Sequence, residues 1–300
     1  MELRQLRYFV EVVDAGGFTR AAERLHLAQP GLSAQIRQLA RELGQPLLHR
    51  AGRSVTLTEV GRAVLPYARS ALAAVDGVRE AVEEYTGLLR GRVAIGVVSG
   101  GTGELVDVPA VLAGFHAAHP QVEISLVEES SERMQAALSA GELDIALMGV
   151  ADATPPAGLA FRTAVDEPLA AAVGTGDPLL AAGRPAIPLT ALRDRPLICL
   201  PRGSGVRTVL ERACAEAGFR PQVAFEAAAP QMLLRLAARG LGIAVLPAAD
   251  GEDLGDGLQL LRLEPAGLRG RVVLAWRSAE PGNPAARALL ERLRAALPVP

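Results

Sequence analysis

The sequence predicts an all-α N-terminal domain holding a helix–turn–helix and a small hairpin wing. A long helix follows, then a C-terminal α/β region of two Rossmann-like lobes. Three observations carry this reading. Apolar residues recur at spacings of three and four between Leu6 and Leu43, the period of amphipathic helices. The same spacing then runs unbroken from Glu59 to about Leu89. Beyond that point short apolar runs alternate with helical stretches, the pattern of a doubly wound α/β sheet.

In the first helix the buried stripe reads Leu6, Phe9, Val10 and Val13, and Gly16-Gly17 ends it. The second helix offers Phe18, Ala21, Ala22 and Leu25, and its small alanines let another helix approach closely. After a short connection from His26 to Gln29, Pro30 suits the first turn of a third helix, where a missing N–H costs nothing. There Leu32, Ile36, Leu39 and Leu43 share one face. At about 100° per residue, Pro30, Ser33, Ala34, Arg37 and Arg41 fall on the opposite face. A tight turn followed by a helix showing Gln, Ser and Arg is the geometry of a major-groove reader. Arginine suits phosphates and guanine edges, glutamine suits adenine, and proline or alanine touches a thymine methyl. An ordinary three-helix bundle with a polar exterior shows the same periodicity.

The next stretch, "LLHRAGRSVTLTEVG", reads as a hairpin with an arginine tip formed by Arg50, Gly52 and Arg53. Arginines placed there enter a minor groove or clamp phosphates. Thr58 then caps a new helix. Charge agrees with this placement. Residues 1–65 hold nine arginines against six acids, whereas the rest holds 22 against 27. The N-terminal segment is the only basic region, a modest footprint for nucleic acid.

The long helix carries Val60, Val64, Tyr67, Ala71, Val75, Val78, Val82, Tyr85 and Leu89 on one stripe. A stripe that long wants a partner helix, and a reader of two half-sites needs two-fold symmetry. Packing against the chain's own C-terminal region is the alternative. Pro66 removes one backbone hydrogen bond and kinks the helix, and Gly87 and Gly91 mark its end.

The α/β region starts with the strand "RVAIGVV", the loop Gly100-Gly101-Thr102-Gly103 and a helix through "ELVDVPAVLAGFHAAHP". The strand "VEISLVEE", the helix "SERMQAALSAG" and the strand "LDIALMGV" follow. A second set begins near Phe161 with "EPLAAAVG", "PLICLP", the helix "VRTVLERACAEAGF", "VAFEA", the helix "PQMLLRLAARG" and "GIAVLP". The late strand "VVLAWR" and helix "PAARALLERLRAAL" complete the first lobe. A ligand cleft between such lobes is lined by strand ends and helix N-termini. Three places qualify: Ser99-Gly100-Gly101-Thr102, Ser130-Ser131, and Pro201-Arg202-Gly203-Ser204, with Met148 at a neighbouring strand end. Helix N–H groups suit an anion, and Arg202 suits a carboxylate. Each Ser or Thr there is equally a helix cap.

Composition excludes several chemistries. All 31 basic residues are arginine, so P-loop, protein-kinase and Schiff-base lysines are absent. Cys199 and Cys214 make no disulfide framework, and His116 and His119 lack a third zinc ligand. "GVVSG" and "RGSGV" do not match a nucleophile elbow, no histidine follows His119, and "GGTGEL" falls short of a dinucleotide fingerprint. An enzyme, or a solute-binding protein fused to a helical oligomerisation region, is the rival reading. No catalytic residue, metal or cofactor is expected. No apolar run reaches the roughly 18 residues of a membrane span, and no secretory signal opens the chain, so a cytoplasmic protein is expected.

The stretch "LRQLRYFVEVVDAGGFTRAAERLHLAQPGLSAQIRQLARELGQPLLHRAGRSVTLTEVGRAVL" resembles the winged helix–turn–helix domain of LysR-type transcriptional regulators. The rest of the chain is similar to that family in order and length. The resemblance implies that Gln29, Pro30, Ser33, Ala34 and Arg37 face the major groove, with Arg50 and Arg53 in the wing. It implies residues 1–58 as DNA-binding domain, 59–90 as linker and dimerisation helix, and 91–300 as effector domain. That domain would be of the type II periplasmic-binding-protein-like class, with lobe 1 at 91–161 and 267–300 and lobe 2 at 162–266. Its partners would be double-stranded DNA, a small anionic effector such as a carboxylate, RNA polymerase, and further copies of the chain in a homodimer or homotetramer. Gly17, Ala34, Ala40 and Leu48 depart from the family's usual serine, polar or basic, glutamate and phenylalanine. Ala34 bears on base preference, and the others on stability.

Overall fold

The computed structural model describes residues 1–51, 54–84, 89–99, 107–248, 257–265, 267–279, 281 and 283–297. The chain opens with α1 (Leu3–Asp14), α2 (Phe18–Arg24) and α3 (Gln29–Glu42). Glu2 and Gln5 cap α1 reciprocally, the Glu2 N–H donating to Gln5 Oε1 at 2.8 Å. Leu6, Phe9, Val12, Ala21, Ala22, Leu32, Ile36 and Leu39 form the core of this head. Two details differ from the periodic reading. Val12 is fully buried while Val10 and Val13 sit at the rim. Leu43 is 38% exposed, because α3 stops at Glu42 and the chain leaves the covered face.

The wing is an antiparallel pair, β1 (Leu48–Ala51) and β2 (Ser54–Leu57), in register from Leu48 opposite Leu57 to Ala51 opposite Ser54. The tip residues Gly52 and Arg53 lie outside the described residues. Thr58 then starts α4 (Glu59–Glu84): its hydroxyl accepts from the Gly61 N–H at 2.8 Å and donates to the Pro46 carbonyl at 2.7 Å. A Cβ on Gly61 would lie 2.0 Å from the Leu47 carbonyl oxygen, so only glycine lets α4 start this close to the wing. Leu65 and Ala68 join the core of the head, but Tyr67 and Val78 stand 78% and 67% exposed.

The α/β region contains β3 (Gly91–Val97), α5 (Val108–Ala118), β4 (Val122–Glu128), α6 (Ser131–Ala140), β5 (Ile145–Val150) and β6 (Leu159–Gly174). Next come β7 (Ala186–Pro188), β8 (Pro196–Cys199), α7 (Gly205–Glu216), β9 (Gln222–Glu226), α8 (Pro230–Ala238) and β10 (Ile243–Pro247). The chain closes with β11 (Leu258–Glu264), β12 (Arg269–Arg277) and α9 (Pro284–Ala296). The sequence stretch read as a helix from Glu104 shows α5 from Val108, where the Asp107 carboxylate accepts from the Ala110 N–H at 2.9 Å; residues 100–106 are outside the described set.

Strand order is β4-β3-β5-β12-β6-β10-β8-β9, with β11 also paired to β6 and β7. The strands β3, β4 and β5 are parallel, as are β8, β9 and β10, and β12 and β6 run antiparallel between the two groups. Each group is covered on both faces. In the first lobe α5 and α9 bury one face, with Phe115, Ile145, Leu274 and Leu290 at its core, and α6 buries the other through Met134 and Leu138. In the second lobe α7 packs with Leu197, Cys199 and Val245, while α8 covers the opposite face through Leu233 and Ala237. Two-sided burial is why these strands read as continuous apolar runs. Among the described residues, no helix is long and apolar enough to cross a membrane.

Candidate functional site

Two surfaces gather the polar residues of interest. On the head, Gln29, Pro30, Ala34 and Arg37 are all exposed along α3. The helix starts from Ala28, which supplies no side-chain cap, and its first turn contains no acid. Pro30 has no N–H and the Gly31 N–H already donates to the Ala28 carbonyl at 3.0 Å, so what the start of α3 offers outward is chiefly the positive end of its dipole, with no acid beside it. A Cβ on Gly31 would meet nothing within 4 Å, so that surface is open. Ser33 departs from the expected outward face and is only 4% exposed. It sits about 100° round from Leu32, at the edge of the buried stripe, and α2, brought close by Ala21 and Ala22, covers that edge. The backbone of Arg50 pairs with Val55 in the wing, and Arg53 falls outside the described residues.

The second surface lies where the two lobes meet. The N-terminus of α6 from the first lobe faces the loop that leads into α7 of the second. The Glu132 N–H donates to the Gly203 carbonyl at 3.1 Å, joining the lobes. Gly203 holds φ +83°, a left-handed conformation that glycine adopts freely. Ser131 is buried, and its hydroxyl accepts from the Gly149 N–H at 2.9 Å. A Cβ on Gly205 would come within 2.6 Å of the Val150 backbone, so α7 begins against the end of β5 with no room for a methyl. Arg212 and Asp152 pair across the same seam at 2.8 Å, and that hydrogen bond holds the Asp152 carboxyl below the usual range.

Most hydroxyls expected in this cleft have partners. Ser130 caps α6, accepting from the Arg133 N–H at 3.4 Å. Ser204 caps α7, accepting from Arg207 N–H at 3.3 Å and donating to the Pro201 carbonyl at 2.9 Å. Ser99 donates to Glu128. Arg202 is exposed beside half-buried Pro201 and has no ion-pair partner among the described residues. Gly100, Gly101 and Thr102 are outside the described residues. Met148 turns away from the seam: it is 1% exposed in the core beneath α6, with Ala146 and Val150 on the same side of β5. Both faces of that strand are covered, so closeness to a strand end does not bring its side chain into a cleft.

Sequence reasoning missed Arg207, which is buried under the α7 loop. Its guanidinium donates to Glu211 at 2.7 Å, to Glu226 at 2.8 Å and to the Leu200 carbonyl at 3.4 Å. Burial opposes its charge, but the Glu226 and Glu211 hydrogen bonds outweigh that and raise its pKa. The Arg207–Glu211 spacing of four was a readable signal; Glu226, on a separate strand, was not. Nearby, burial pushes Cys199 up to about 12 and Cys214 up to about 11, so neither thiol is a thiolate at neutral pH.

Residues 3–62 match the bacterial regulatory helix-turn-helix protein family of the lysR type, and residues 86–298 match the LysR substrate binding domain. The chain belongs to the LysR family of transcriptional regulators. It is 32% identical over 297 residues to the RuBisCO operon transcriptional regulator of Allochromatium vinosum, covering 97% of this chain and 95% of that one. It is 32% identical over 282 residues to the regulator AlsR of Bacillus subtilis, covering 92% and 90%. A full-length OxyR variant from Pseudomonas aeruginosa superimposes with a TM-score of 0.70 at 26% identity, covering 98% of both chains. This LysR-type regulator is therefore a DNA-binding transcriptional regulator with a substrate-binding effector domain, and not an enzyme.

Proposed function

We propose that this LysR-type regulator reads DNA with α3 and responds to a small anion held between its two lobes. Residues 1–58 act as the reader, 59–90 as the linker and 91–300 as the effector domain. The observation that carries the DNA reading is the exposed first turn of α3, which holds no acid, with Gln29, Pro30, Ala34 and Arg37 exposed along the helix. A phosphate completes that helix end, and Arg37 adds a base or backbone contact. Buried Ser33 serves to seat the helix and not to read bases. Exposed Tyr67 and Val78 on α4 support pairing with a second copy, which sets two readers on two half-sites, as a homodimer or a tetramer of two dimers. The protein works in the cytoplasm, where RNA polymerase is the further partner.

At the lobe seam, the N-termini of α6 and α7 and Arg202, which has no ion-pair partner among the described residues, favour a compact carboxylate. Such a ligand replaces the Gly203 carbonyl at the Glu132 N–H and changes how the lobes sit, which moves the two readers relative to each other. The DNA reading is tested by gel retardation of the duplex upstream of the regulator's own gene at low and high salt. Retardation at low salt is expected to weaken as salt rises, and Arg37→Ala to reduce the log–log salt slope by about 1. Retardation indifferent to Arg37→Ala would remove α3 as the reader. Calorimetry against a carboxylate library tests the effector: Arg202→Ala should abolish the heat of any binder, and an unchanged heat would move the site elsewhere.

A further inference from the structure

We infer that Arg69 on α4 is a clasp that ties the DNA-binding head to the effector domain, and that α6 relays the state of the lobe seam to it. One guanidinium makes both attachments. Nη2 binds the carboxylate of Asp14, the last residue of α1. Nη1 donates to Glu142 at 2.5 Å and to the Ala140 carbonyl, at the end of α6, at 3.4 Å. The Arg69 side chain is only 12% exposed, but its carboxylate partners are 41% and 54% exposed, so solvent screens these pairs in part. A planar fork with two usable edges suits this double grip, which an ammonium cannot copy.

The far end of α6 is the end at the seam. The helix has ten residues, about 15 Å of rigid rod. At its start, Ser131 binds Gly149 and Glu132 donates to Gly203 of the second lobe. At its finish, Gly141 takes φ +72° and lies beside Arg69, where an added Cβ would sit in ordinary contact 3.4 Å from the Arg69 Cβ. Arg277 steadies the same terminus, donating to the Leu138 and Leu143 carbonyls at 3.2 and 3.0 Å. A push on the first turn of α6 is therefore delivered to Ala140–Glu142, where Arg69 converts it into a change at Asp14. This route rests on the seam being the effector site; the clasp itself does not.

Hydrogen exchange on the full-length protein, read by mass spectrometry at low salt, tests both parts. Arg69→Gln is expected to speed exchange about 3- to 10-fold at residues 11–17 and at 140–142. Asp14→Asn, at a half-exposed position where folding is not at risk, should do so at 11–17 alone. Unchanged exchange at 11–17 in both variants overturns the clasp. Gly203→Ala stands in for an occupied seam, because its methyl would lie 2.9 Å from the Glu132 carboxylate and 3.3 Å from its Cβ, at a φ of +83° that is also strained for a side chain. It should alter 137–142 and 11–17 in the parent, but only 137–142 when combined with Arg69→Gln. An equal response at 11–17 in both backgrounds, or none at 137–142, overturns the relay. Failure of the effector reading shows separately, as a calorimetric signal untouched by Arg202→Ala.

Discussion

The N-termini of α3 and α6 are alike in geometry and opposite in upkeep. Helix α3 has Ala28 ahead of it, no acid in its first turn and open space around Gly31. Helix α6 has Ser130 as cap, Glu132 in its first turn and the Gly203 carbonyl already on one of its N–H groups. An uncapped helix end forgoes about 1 kcal/mol, so an acidic cap or a bound anion at the start of α3 would stabilise it. The end of α6 is satisfied from within, so a ligand there must displace a contact and not simply fill a gap. On the proposed function, the reader's helix end stands open and the sensor's stays closed until a ligand contests it.

The largest expected effect comes from crowding the start of α7, across the seam from the closed end. Gly205→Ala puts a methyl within 2.6 Å of the Val150 backbone, and should cost the effector domain about 3 kcal/mol in urea unfolding. Loss of the head in the same transition would show that the two ends are not independent. Filling the open end comes next. Ala28 is already extended, with φ −72° and ψ 128°, so Ala28→Asp can cap α3 and stabilise the head by about 1 kcal/mol. The same carboxylate should weaken DNA binding about tenfold or more in gel retardation. Unchanged DNA affinity would mean that no phosphate uses that terminus. The smallest effect belongs to Ser130→Ala, which removes the α6 cap for about 1 kcal/mol or less, given its long 3.4 Å bond. It should leave DNA binding without effector as it was; weaker binding would tie the cap to the reader directly.

The elements were legible because their apolar periods are strong, and the head was legible down to the buried Leu32, Ile36 and Leu39 of α3. Ser33 was not, since its burial depends on how closely α2 approaches, which periodicity on α3 cannot report. Met148 was not, because a strand buried on both faces offers no alternation to tell core from cleft. The partners of Arg69 stand 55 and 73 residues away in sequence. No local pattern brings such groups together; only the folded arrangement of head, linker and lobe does. The capping serines were legible as either caps or ligands, and the backbone N–H groups beside them decide for the cap in Ser130 and Ser204.

The strand β6 spans 16 residues and belongs to both lobes: Leu159–Pro168 pair with β12, and Leu169–Gly174 with β10 and β11. Because hydrogen-bonded strands cross the seam, the lobes cannot swing apart like two beads on a string. Any opening has to be stored as twist in this pair, to which the irregular register at Val272 and Val273, opposite Val165 and Thr163, adds local twist. The effector domain thus behaves as a torsion bar. A ligand at the seam, as proposed, would turn the lobes by small angles that the strand pair reverses once the ligand leaves.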